Sequence, residues 1–182
     1  MVGSEGGGVG VQVGLSIVPP GEIPAAGPTP TEDLMALFKL CSQMAATCVK
    51  ENGKGLSAVQ VGVPWDLFVV NQIPLHLRAD KANPWGYYIG CTYEPVGEGS
   101  VESVEGCLSL KDDKGKVRLY KLKRASKIHV RGRQLRDDPQ GLRIEEVNYI
   151  LELKTDAIVF QHEIDHARSV LISDNGVEVM LW

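Results

Sequence analysis

The string Gln161-His162-Glu163-Ile164-Asp165-His166 constrains this chain more than any other feature. On an α-helix, residues four apart differ by about 40° in azimuth, so the two imidazoles project from one face and can share one divalent metal. Glu163 stands one step round from His162. A carboxylate there reaches a water activated by the metal without ligating the ion. It can take that water's proton and later return it. The alternative is a surface helix that carries two histidines by chance. Three fixed positions held by uncommon residue types at exact spacing weigh against it. The motif by itself names no substrate.

Two imidazoles leave a metal short of a third protein ligand. Sixteen residues follow His166; none is histidine, and Glu178 is the single glutamate. Asp165 lies within the helix and points away from both histidines. The strong remaining candidate lies upstream, Cys107 in Glu105-Gly106-Cys107-Leu108-Ser109. Gly106 admits a close backbone approach, and a thiolate binds Fe(II), Zn(II) or Ni(II) well. A third segment, Gly53-Lys54-Gly55-Leu56-Ser57-Ala58-Val59-Gln60, has the small residues that suit a backbone passing close to a ligand. Its last residue, Gln60, offers a side-chain amide to an oxyanion. The same segment also reads as a helix-ending turn that leads into a strand. His76 and His129 lack ligand spacing to this set.

With 182 residues, one domain is expected. A net charge of −4 argues against a protein whose whole surface binds nucleic acid. No apolar run approaches the roughly 20 residues of a membrane-spanning helix. The first residues lack the basic and apolar regions of an export signal, so the four cysteines are expected as reduced thiols in a cytosol-like compartment. Residues 1–30 hold eight glycines and five prolines, the composition of a flexible leader or an irregular wrap. Strict alternation of Val9, Val11, Val13, Leu15 and Ile17 predicts a short strand inside it. Thr31-Glu32-Asp33 reads as a helix start with a hydroxyl N-cap. The helix then runs to Asn52-Gly53, with Leu34, Leu37, Phe38, Cys41, Met44, Ala45 and Cys48 on its apolar face. Cys41 and Cys48 are read as core residues. Strands are predicted at 67–70, 128–131 and 141–153, and a second helix from Thr155 to about Arg168. Residues 71–100 read as irregular. Residues 111–124 carry seven basic and two acidic side chains and read as a solvated hairpin. The pattern is α+β.

In their order and separations the three motifs resemble the peptide deformylase family, over roughly residues 31–174. The resemblance implies small antiparallel β-sheets around a central helix that carries the two histidines. It implies one catalytic domain, 31–182, behind a leader, 1–30. Cys107, His162 and His166 would hold one divalent ion, Fe(II) as the native metal with Zn(II) or Ni(II) as alternatives. Glu163 would act as base and then acid. Gln60 and the backbone N–H of Leu108 would stabilise an oxyanion. Gly55 would lie beside a bound peptide, and the backbone at Lys54 and Gly106 would pair with it. Ile158, Val159 and His162 would receive a methionine side chain. Glu105 would pair with an arginine, Arg124 being the best match.

The implied reaction removes the N-formyl group from formyl-methionyl nascent peptides and releases formate. It would take place in the cytoplasm, with a transient ribosome contact and no membrane or specific nucleic acid as partner. The sequence departs from the family at several places. Lys54 replaces an aliphatic residue at the pocket mouth, Ser57 an alanine, and Gly90-Cys91 an Asn-Pro pair. Arg118 is a candidate for a substrate-binding arginine. No departure touches a ligand, Glu163 or Gln60, so retained chemistry with altered pocket specificity is expected. Two other readings are a metallohydrolase of another N-acyl amide and a non-catalytic metal-bound binding protein.

Overall fold

The computed structural model describes residues 14–71, 83–152 and 154–180. His76 and the Val9, Val11 and Val13 part of the predicted strand lie outside them. Helix α1 is Leu34–Lys50. Its cap is Asp33, whose carboxylate accepts from Ala36 N at 2.9 Å, and not the Thr31 hydroxyl expected from the sequence. An acid side chain at the first non-helical position satisfies one of the orphan N–H groups. At the other end Asn52 enters the left-handed region (φ 56°), and Gly53 N returns to Cys48 O at 2.8 Å. Leu37, Cys41, Met44 and Cys48 are buried, so the apolar stripe and both core cysteines are as read.

Eight strands follow. They are β1 (Gly55–Ser57), β2 (Leu67–Asn71), β3 (Trp85–Pro95), β4 (Ser100–Lys111), β5 (Val117–Ala125), β6 (Ile128–Asp138), β7 (Gly141–Leu151) and β8 (Val177–Val179). All pair antiparallel, in a five-stranded sheet β1-β2-β3-β6-β7 and a three-stranded sheet β4-β5-β8. Helices α2 (Lys154–Ala167) and α3 (Ile172–Asn175) complete the described chain. The fold is α+β, as expected.

Two expectations are corrected. Residues 71–100 are not irregular throughout, because Trp85–Pro95 forms β3, an inner strand of the larger sheet. Gly86, Tyr87, Tyr88 and Ile89 are consecutively buried, so the strand lacks the alternation that exposes a strand to a sequence reading. Residues 14–17 form no strand; Leu15 N bonds Thr47 Oγ1 at 3.0 Å, and Leu15 and Ile17 pack against the α1 core. Farther on, Val18 N bonds Gln60 O, and Gly27 bridges to Trp65. From residue 14 onward the leader is an irregular wrap.

The basic stretch is a hairpin. Asp112 Oδ1 accepts from Lys114 N and Lys116 N, both at 2.9 Å, and fixes its turn. Along β5, Tyr120, Leu122 and Arg124 point inward while Lys121 and Lys123 are exposed. Of the seven basic side chains only Arg124 enters the interior.

Helix α2 touches β1, β2 and β3 of the large sheet and β5 of the small one, so it joins the two. Phe160 anchors it, with its ring 4.7 Å from that of Tyr88 and 5.5 Å from that of Phe68. Truncating Phe160 to alanine is expected to cost about 3–5 kcal/mol in urea unfolding, with Phe160→Leu costing clearly less. An unchanged midpoint for the alanine variant would show that the rings do not anchor α2.

Candidate metal centre

The period of α2 brings His162 and His166 together, with ring centroids 4.8 Å apart and planes at 84°. The third member comes from β4 through a local irregularity. Gly106 pairs with Leu119, yet the next register pair is Lys111 with Val117. Residues 107–110 therefore oppose Arg118 alone. Such a bulge bends the strand and re-aims its side chains. It sets Cys107 Sγ 3.6 Å from His166 Nε2. One donor atom from each of Cys107, His162 and His166 lies within 4.8 Å of the others. All three side chains are buried.

The surroundings orient the donors. Glu105 Oε2 lies 2.9 Å from His162 Nδ1. A proton held on Nδ1 by this carboxylate makes Nε2 the nitrogen that a metal would take. Arg124 donates to both oxygens of Glu105 at 2.8 Å, and from Nη1 to Asp165 Oδ2 at 2.6 Å. Tyr93 OH donates to the other Asp165 oxygen at 3.0 Å. Burial alone would push Glu105 up, but Arg124 and then His162 hold its carboxyl down, to about 2. The same carboxylates raise Arg124 against the effect of its burial. Burial pulls His162 down, while its bonds to Cys107 and Glu105 raise it, to about 10. His166 is held well below its usual value, by burial first and then by His162.

These residues fit a divalent metal. A thiol and two imidazoles converge, and the negative field that favours a proton on His162 also favours a cation. Among the described residues Glu163 Oε2, beside these donors, is buried with no hydrogen-bond partner, which marks the pocket as unsatisfied by protein alone.

Glu163 forms the floor of the cleft, its carboxyl raised to about 7, mainly by burial. A Cβ built on Gly55 would fall 2.5 Å from Glu163 Oε1, so any side chain at 55 would block that carboxylate. Gln60 follows β1 in a short 3-10 turn, Ala58–Val61. Its Oε1 accepts from Ser57 N at 3.0 Å. That bond turns Nε2 inward, 3.3 Å from Cys107 Sγ and 3.3 Å from Ser109 Oγ.

A cleft of about 570 Å³ opens over this centre. Lys54, Gly55, Gly106, Ile158 and Val159 all line it, as do Gln60 and Leu108. Its two rims are the free edges of the sheets, β1 on one side and β4 on the other. Arg118 is the exception among the residues singled out. It sits outside the cleft lining, exposed and 3.7 Å from Glu178 on β8. His129 is also remote, paired with Asn148 and Arg131. Asp165, Tyr93 and Ser109 were not anticipated. Asp165 stands in the histidine motif and its direction was readable, but its distant partner was not.

A family model described as polypeptide deformylase matches residues 26–179. The chain belongs to the peptide deformylase family. It is 32% identical over 150 residues to a peptide deformylase of Thermus thermophilus, covering 78% of this chain and 71% of that one. A crystal structure of peptide deformylase from Thermotoga maritima superposes with TM-score 0.67 at 28% identity, over 90% of this chain and 97% of that one. A Met-Ala-Ser-bound class I type b peptide deformylase from Acinetobacter baumannii shares the fold, with TM-score 0.70, 23% identity and coverage of 91% and 99%.

Two outcomes test the centre. Cobalt titration is expected to saturate at about one ion per chain with a thiolate charge-transfer band, and Cys107→Ala is expected to abolish that band. Arg124→Met should destabilise the fold by about 3–5 kcal/mol, because it strands Glu105 and Asp165 without their cation. A loss below about 1 kcal/mol would mean that the two acids find other partners.

Proposed function

We infer that the chain hydrolyses the N-formyl group from the N-terminal formylmethionine of nascent peptides and releases formate. The observation that carries this reading is the convergence of the Cys107, His162 and His166 donors with Glu163 and Gln60 in a cleft bounded by two strand edges.

An extended peptide fits such a cleft by adding to the β1 and β4 edges, with Gly55 and Gly106 beside it. The Ile158 and Val159 side chains on α2 receive the methionine. Cys107, His162 and His166 hold the metal, and when bound it supplies Lewis acidity that makes a water reactive toward an amide. Glu163 accepts a proton from the attacking water. It then gives a proton to the leaving nitrogen, so that the C–N bond breaks to formate and a free amino terminus. A carboxyl raised to about 7 can be found in either state near neutral pH. The Gln60 amide and the Leu108 N–H donate to the oxygen that gains charge. Glu105 holds His162 in one tautomer throughout, and Arg124 holds Glu105.

One thiolate with two imidazoles suits Fe(II), Zn(II) and Ni(II); Fe(II) is the proposed native metal. No helix among the described residues is long and apolar enough to cross a membrane. We place the enzyme in the cytoplasm, meeting nascent chains through a transient ribosome contact. We read residues 31–182 as a single catalytic domain.

The test is formate release from formyl-Met-Ala-Ser by anaerobically prepared protein loaded with Fe(II), Ni(II) or Zn(II). Glu163→Gln is expected to lose about 10²–10⁴-fold in rate while retaining the metal. Faster turnover of acetyl-Met-Ala-Ser, or an unimpaired Glu163→Gln variant, would sink the reading.

A further inference from the structure

Four carboxylate or ammonium side chains line the cleft; two of them are paired and a third is buried. Glu105 is held between Arg124 and His162. Glu163 is buried at the floor. Glu51, on the rim, takes the Lys111 ammonium at 2.7 Å. Lys54 is the fourth. It is exposed, and no ion pair engages it among the described residues.

The direction of Lys54 follows from its neighbours. A Cβ built on Gly53 meets Cys48 Sγ at 2.8 Å, and one on Gly55 meets Glu163 Oε1 at 2.5 Å. Positions 53 and 55 thus face the interior, and the exposed residue between them stands on the solvent side of the cleft mouth. Across the cleft, β4 offers Val104, which is 57% exposed and uncharged.

A peptide lying extended between the two edges alternates its side chains between the two faces. Its methionine turns inward, to Ile158 and Val159. The side chain of the next residue therefore turns outward, onto the face where Lys54 stands. Opposed side chains on adjacent strands attract when oppositely charged and repel when alike.

We propose that Lys54 makes this enzyme favour formyl peptides with an acidic residue directly after the methionine, a preference that rests on the deformylase reading above. The lysine is a specificity determinant and takes no part in bond breaking. Its ammonium meets a carboxylate that remains at the rim, in solvent, so the effect is modest and screened by salt.

The experiment compares kcat/KM for formyl-Met-Glu-Ser, formyl-Met-Gln-Ser and formyl-Met-Lys-Ser with metal-loaded protein at low ionic strength. The glutamate peptide is expected to exceed the lysine peptide by about fivefold, with glutamine between. That ratio should shrink as salt rises, reverse in Lys54→Glu and flatten in Lys54→Met. Each readout is a ratio within one protein, so a change in overall activity of a variant does not obscure it. Equal rates for the three peptides in the wild type, or the same ratio in the wild type and both variants, overturn the proposal and leave the deformylase reading standing. No formate from any of the three overturns the deformylase reading, and the proposal with it.

Discussion

The Arg124 guanidinium is the interaction on which the site depends. It comes from β5, takes both oxygens of Glu105 on β4, and reaches Asp165 on α2 with its remaining nitrogen. One planar cation thereby ties a hairpin of the small sheet to the helix that carries both histidines. Buried charges of this kind are not an efficient source of stability, since desolvation offsets much of their attraction. Their value here is positional. A five-donor fork meets two carboxylates at fixed angles, which a flexible ammonium could not do. Glu105 then passes that order to His162, and the tautomer of one candidate metal ligand is set by a residue two contacts away.

The cysteines show how the same side chain is divided between packing and chemistry. Burial pushes the thiols of Cys48 and Cys91 up to about 12 and Cys41 higher still. These three behave as small apolar groups. Cys91 fills the irregularity in β3 and leaves no space for a Cβ on Gly132, which would lie 2.5 Å from its Sγ. Cys107 is as deeply buried as they are, yet it faces a glutamine amide and an imidazole. Cys48 and Cys91 face backbone carbonyls instead, so the kind of polar neighbour, not exposure, separates the candidate ligand from these thiols.

What was legible in the sequence follows the range over which each interaction acts. Helices α1 and α2 announce themselves because their apolar and histidine spacings repeat every turn. The β6–β7 hairpin shows through its turn residues. The Glu105–Arg124 pair is nineteen positions apart and was reached through family resemblance, not through spacing. Strand β3 was hidden because burial on both faces erases alternation. The bulge at 107–110 was hidden because register belongs to a pair of strands, and a single sequence shows only one of them at a time. The Asp165–Tyr93 bond spans seventy-two positions and leaves no local trace. Lys54 was visible as a departure from the family, but its place on the outer face of the cleft rim depends on the glycines beside it.

Glu105 and Glu163 are a matched contrast that the fold creates within one cleft. Both are glutamates, both are buried, and both lie close to His162 in space or in sequence. Glu105 meets Arg124 and stays ionised, held near 2 despite its burial. Among the described residues Glu163 has no such partner; burial outweighs the pull of His162 and lifts it to about 7. Carboxylates whose environments are driven apart in this way take different tasks. The paired one is suited to fix geometry, because it does not release its charge near neutral pH. The unpaired one is suited to carry protons, because either protonation state is accessible there. Gly55 keeps the second role open: its missing side chain leaves the Glu163 oxygen uncovered on the side from which a peptide would approach.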